Sequence, residues 1–139
     1  MGHDTTTECL LFPDIFTKPV VAQFDQRQGS SDGGALLLKA ADRRLGLTEA
    51  LADGLVDQRQ VGKIEHELEE LLRQRIFGIA CGYADAQDAA RWAGDPVHQM
   101  RVGRDPIGQD LASQPTRSRF ENAVDRQQLY PWVRRWPSA

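Results

Sequence analysis

The side chains best suited to chemistry gather near the C-terminal end. The stretch Leu111–Val124, LASQPTRSRFENAV, holds Gln114, Thr116, Arg117, Ser118 and Arg119 within six positions. Amides, hydroxyls and guanidiniums of this kind donate to phosphate oxygens and to base edges. Two further arginines, Arg101 and Arg104, lie just upstream. Residues 98–139 carry seven arginines and no lysine against four acids, a net of +3, whereas residues 1–97 carry 10 bases against 16 acids, a net of −6. A planar guanidinium takes two phosphate oxygens at once, so this asymmetry points to a nucleic-acid face. A solvated arginine-rich helix is the plainer account of the same residues. The candidate DNA contacts are therefore Arg101, Arg104, Gln114, Thr116, Arg117, Ser118 and Arg119.

Other chemistries find less support. Gly29–Gly34, GSSDGG, lies between a strand-like and a helix-like stretch, the arrangement that can cradle phosphate, and a phosphotransferase could be imagined there. It lacks the GxxxxGK[ST] and GxGxxG patterns, and Ser31 or Asp32 as a helix N-cap explains it without a ligand. The histidines His3, His66 and His98 and the cysteines Cys9 and Cys81 have no zinc-site spacing. Asp32, Asp85, Asp95 and Asp110 fall at expected caps and turns. No catalytic, cofactor-binding or metal-binding residue is assigned, and no cofactor is expected in this chain.

The elements that must position these groups read as helices. With 139 residues the chain can bury a core. No run is apolar enough to span a membrane, and no membrane partner is expected. Two isolated cysteines and an unsignalled N-terminus imply the cytoplasm. Apolar residues at Ile64, Leu68, Leu71, Leu72, Ile76, Ile79, Ala80 and Tyr83 step by three and four, predicting one long helix over Lys63–Tyr83. Its second half, Ile76–Tyr83, is apolar almost all round. Glu69–Arg73 and Lys63–Glu67 are spaced as surface ion pairs. A helix over Gly34–Leu45 should bury Leu37, Leu38, Ala41 and Leu45 and turn Lys39, Asp42 and Arg43 outward, with Gly46 as its stop. Thr48 should cap a helix over Glu49–Val56.

Pro19–Asp25 is the one strand candidate. Asp85 can cap a helix through Trp92. Asp95-Pro96 should open a short helix to Val102, and Gly103–Gln109 should turn. Ser113 can cap a helix bearing Pro115 in its first turn, and Ser118 with Glu121 has capping-box spacing. In Tyr130–Ala139, Pro131 and Pro137 argue against a regular helix.

Taken in order, LFPDIFTKPVVAQFD, SSDGGALLLKAADRRLGL, HELEELLRQRIFGIACGYADAQD, DP at 95–96, GRDP at 103–106 and LASQPTRSRFENAV resemble the N-terminal part of bacterial insertion-sequence transposases of the DDE class, the group labelled transposase DDE domain group 1. The resemblance covers about residues 10–130 and implies DNA transposition and recombination. It implies binding to the element's terminal inverted repeats and an RNase H-like fold working with divalent metal, Mg, held by three acidic residues. Those acids correspond to positions beyond residue 139, so a truncated or frameshifted copy, inactive alone, is expected. The expected fold is mainly α: a small helical domain around one long central helix with one short N-terminal strand, the N-terminal part of a larger RNase H-like transposase. Residues 1–9 are expected as a disordered tail, 10–130 as the helical region and 131–139 as an irregular tail. The competing function is a helical protein-interaction module without DNA binding, whose uncovered apolar surface would self-associate.

Overall fold

The computed structural model describes residues 12–16, 18–21, 30–85, 88 and 92–135. Its α-helices are α1 (Ala35–Leu45), α2 (Leu47–Asp53), α3 (Leu68–Ala80), α4 (Pro96–Val102), α5 (Gln114–Ala123) and α6 (Arg126–Arg135), with a 3₁₀ turn at Val61–Lys63. Helix α3 is central: it packs on α2 and α4 and touches α5, while α1 lies on α4 and α2. The mainly α expectation stands. Of the expected strand Pro19–Asp25, only Val21 among the described residues 19–21 forms a β-bridge. Its residues 22–25 lie outside the described residues, as do residues 1–9 and most of the helix expected after Asp85.

The central helix is shorter than its periodicity predicts. Lys63 belongs to the 3₁₀ turn, and Ile64 and Glu67 are extended. Guanidiniums divert the carbonyls that would begin an earlier turn: Arg59 Nη1 donates to His66 O at 2.8 Å and Arg104 Nη2 to Glu65 O at 2.7 Å. Helix formation therefore starts at Leu68, where Glu69 and Glu70 complement the helix dipole. At the far end Gly82 adopts φ +89°. Its N–H bonds Ile79 O at 2.9 Å and that of Tyr83 bonds Gly78 O at 2.9 Å, a Schellman stop that a residue with a Cβ resists. Leu71, Leu72, Gln74, Phe77 and Gly78 are buried. Ile76 and Tyr83 are half-buried and only Ile79, of the four residues 76, 77, 79 and 83, is exposed.

Helix α1 turns a different face inward from the one predicted. Leu37 is 59% and Leu45 72% exposed, whereas Leu36 and Asp42 are buried. The reason is polar. Asp42 Oδ1 accepts from Thr48 N–H at 2.9 Å and Oδ2 from Thr48 Oγ1 at 2.5 Å, and Arg73 Nε reaches Oδ2 at 3.2 Å. Asp42 thus caps the start of α2 across a single linking residue, Gly46, at φ +61°. Thr48, expected as that cap, lies inside α2, fully buried. Glu69 pairs with Arg73 as its spacing suggested, and Arg73 joins the two carboxylates. The Lys63–Glu67 pair does not form as a helical pair, because neither residue lies in α3.

Local signals read correctly elsewhere. Asp95 Oδ1 accepts from Val97 N–H at 2.8 Å with Pro96 opening α4. Gly103 at φ +103° ends that helix. Helix α6 runs to Arg135 with Pro131 inside it, so residues 131–135 depart from the irregular ending expected over 131–139, while 136–139 lie outside the described residues. Gln127 and Pro131 are exposed, so the Gln127 carbonyl, which lacks an amide donor at Pro131, is open to water.

Candidate nucleic-acid interface

Helix α5 is held at its start by three devices. Leu111 and Ala112 are buried. Gln74, buried in mid-α3, donates Nε2 to Ala112 O at 3.0 Å and accepts Ala112 N–H on Oε1 at 3.1 Å, as a paired strand would. Ser113 Oγ then accepts from Thr116 N–H at 3.4 Å, and Pro115 sits in the first turn. Ser113 is the cap; Ser118 lies within the helix, so the second capping box is not used.

Seven residues were expected on one face, and the structure divides them. Arg101 is fully buried: Nη1 donates to Phe77 O at 3.0 Å and to Cys81 Sγ at 3.2 Å, and its guanidinium lies 4.9 Å from the Trp92 ring centre. Arg117 is also buried, 5.6 Å from the same ring. Burial pushes both guanidiniums below their ordinary value. Arg104 is half-buried, with its guanidinium on Glu70 (Nη2 to Oε2, 3.0 Å) and 2.7 Å from His66 Nδ1. These three arginines hold the core together rather than face solvent, because Trp92 offers a π-face and Glu70 a charge that helical spacing does not reveal. Gln114 and Arg119 are exposed, and Thr116 and Ser118 are half-buried.

The Trp92 cluster also claims the glycine-rich loop. Asp32 Oδ2 accepts from Tyr83 OH at 2.5 Å and lies 2.8 Å from His98 Nε2. The Tyr83 hydrogen bond, with a smaller share from His98, holds the Asp32 carboxyl below its ordinary range. His98 stacks on Trp92 at 4.8 Å, and burial, then the Arg101 charge, lowers its pKa. Neither Ser31 nor Asp32 caps α1, whose first residue is preceded by Gly34 without a side-chain cap bond. A carboxylate committed there repels phosphate, so the loop is a clasp.

One feature was missed in the sequence. Residues 57–63, which the sequence suggests only as a polar link over Asp57–Gly62 with Lys63 opening the long helix, face α5 across a groove of about 450 Å³. Leu55, Leu68, Leu71, Phe120, Ala123 and Val124 form its apolar walls. Lys63 and Arg119 are exposed at its edges, and Thr116, Gln58 and Gln60 also line it. Arg59 is fixed there: Nε and Nη2 meet Asp57 Oδ1 and Oδ2 at 2.8 and 2.6 Å. The arginine-glutamine pattern of DQRQ was the available signal.

A family model described as transposase DDE domain group 1 matches residues 12–135. The chain belongs to that family. No curated protein and no solved structure matches it significantly. Divalent metal is what the resemblance to transposases implies, and its fit is judged on the described residues alone. Among the described residues no three His, Cys, Asp or Glu side chains are grouped to hold an ion. Buried Asp42 is already committed to Thr48 and Arg73, and half-buried Glu70 to Arg104. Among the described residues no helix is long and apolar enough to cross a membrane.

Proposed function

We propose that this chain is a DNA-contacting helical region of a transposase, acting in the cytoplasm on the element's terminal inverted repeats and supplying no catalytic acid of its own. The observation that carries this reading is the groove edge, where exposed Lys63, with Gln58 and Gln60 on its segment, faces Thr116 and exposed Arg119 on the firmly anchored α5. Among the described residues neither cation has a salt-bridge partner, so both charges are available to phosphate. Gln114 and Ser118 extend the same helix start. The buried Arg101 and Arg117 and the ion-paired Arg104 serve by holding that surface in place.

Anisotropy titrations on a terminal-repeat duplex at two salt concentrations test this. Lys63→Gln and Arg119→Gln should each weaken binding and lower the salt slope by about 0.9 for duplex DNA. Arg101→Met, if the protein remains folded by circular dichroism, should leave the slope unchanged. Absence of binding at low salt refutes the reading.

A second reading draws on α1, where Leu37, Ala41 and Leu45 are exposed four residues apart. Such a stripe suits packing against another part of the transposase or a second copy. Light scattering of a Leu37→Gln/Leu45→Gln variant separates the two: a lower mass than the parent favours an interaction module.

A further inference from the structure

We infer that the groove between residues 57–63 and α5 receives an unpaired base, so that the chain binds single-stranded DNA in preference to duplex. This rests on the DNA-binding reading above and sharpens it. Three properties of the groove carry it.

The first is chemical contrast. Its walls are apolar, while its edges carry the exposed cations Lys63 and Arg119. A duplex presents phosphates outward and keeps the faces of its bases stacked inside, so it satisfies the edges and leaves the walls wet. A single strand offers both groups together, with phosphates for the cations and base faces for the apolar walls.

The second is the pair of flat groups. Phe120, half-buried on α5, and Arg59, on the facing loop, both line the groove. Arg59 is held in one plane by its two contacts with Asp57 and by the donation of Nη1 to His66 O. A guanidinium already fixed loses little freedom when a base stacks on it, and aromatic and guanidinium planes are the usual platforms for splayed bases. Asp57 is occupied by Arg59, which leaves Glu65 as the other acid lining the groove against Lys63 and Arg119.

The third is size. A volume of about 450 Å³ falls within the range of sites for small ring-bearing ligands and is far below what a double helix needs. The groove therefore takes part of a strand.

The test uses the whole 139-residue chain and a fluorescein-labelled oligothymidylate of about 12 nucleotides, within the usual single-strand site size, with a duplex of equal length for comparison. The single strand should bind about tenfold more tightly, and Phe120→Leu, which keeps apolar volume and removes the ring, should weaken it about tenfold while leaving duplex binding unchanged. Lys63→Gln should lower the single-strand salt slope by about 0.7, and circular dichroism verifies that each variant is folded. Equal or tighter binding of the duplex overturns the inference and leaves the DNA-binding reading standing. Single-strand binding untouched by Phe120→Leu overturns its placement in this groove. Binding of neither form overturns both readings. A mass that rises with concentration and falls in Phe120→Leu, with no oligonucleotide effect, assigns the groove to a second copy and overturns the inference.

Discussion

Replacing Gln74 by methionine removes the two hydrogen bonds to Ala112 at nearly constant side-chain volume. Ala112 is buried, so its N–H and C=O are left without partners and without water. Each unsatisfied group costs about 1–3 kcal/mol, partly offset because the buried amide of Gln74 no longer has to be desolvated, so a net loss of about 3 kcal/mol is expected. With a urea m-value of about 2 kcal/mol/M, the unfolding midpoint should fall by about 1.5 M. Urea titration followed by circular dichroism measures this directly. Gln74→Glu is the control that isolates the cause. Its carboxylate keeps an acceptor for Ala112 N–H but sets a charge against Ala112 O, and protonation restores a donor. Burial raises the folded pKa of that glutamate, so the variant should recover stability as pH falls through the folded value. A loss below about 0.5 kcal/mol for Gln74→Met, or no acid recovery for Gln74→Glu, refutes the account of α5 anchoring.

Two other outcomes follow from charges in the core. The His98 pKa lies below 6.5 in the folded chain, so the unfolded chain takes up the proton first; stability from this site is complete above pH about 6.5 and declines as pH drops from there through the folded value. His98→Gln should flatten that part of a stability–pH profile measured by urea melts. Lys39, its Nζ 3.1 Å from Met100 O, has its pKa lowered to about 8 by burial and by Arg73 and Arg43. Between pH 8 and 10.5 the unfolded chain holds that proton and the folded one does not, so stability from Lys39 rises with pH there. Lys39→Met should abolish this rise in the same melts, and an unchanged profile contradicts the assigned burial.

What could be read from the sequence was local. Asp95-Pro96 and Ser113 act within three residues of themselves, and both do what their positions suggest. Gly82 shows the same kind of signal passed over: the apolar period continued to Tyr83, but the glycine ends the helix at Ala80. The misread residues are those whose partners lie far along the chain. Asp42 turns inward because Arg73 waits 31 positions away, and Arg117 is buried because Trp92 lies 25 positions before it. Charge counted along a sequence cannot separate a guanidinium facing phosphate from one covering an indole. The groove escaped notice for the same reason, since its two sides are separated by the whole of α3.

Gly46 closes α1 and opens α2 with no residue to spare, and this sets where the chain can accept extra length. One inserted residue there would turn α2 by about 100° about its axis, given 3.6 residues per turn, and swing Thr48 off Asp42. The Asp57–Lys63 segment keeps only the Asp57–Arg59 pair and one short 3₁₀ turn, Val61–Lys63. Length variation among related chains should therefore collect along the groove edge, where it would reshape what the groove accepts, and be absent from the joint at Gly46.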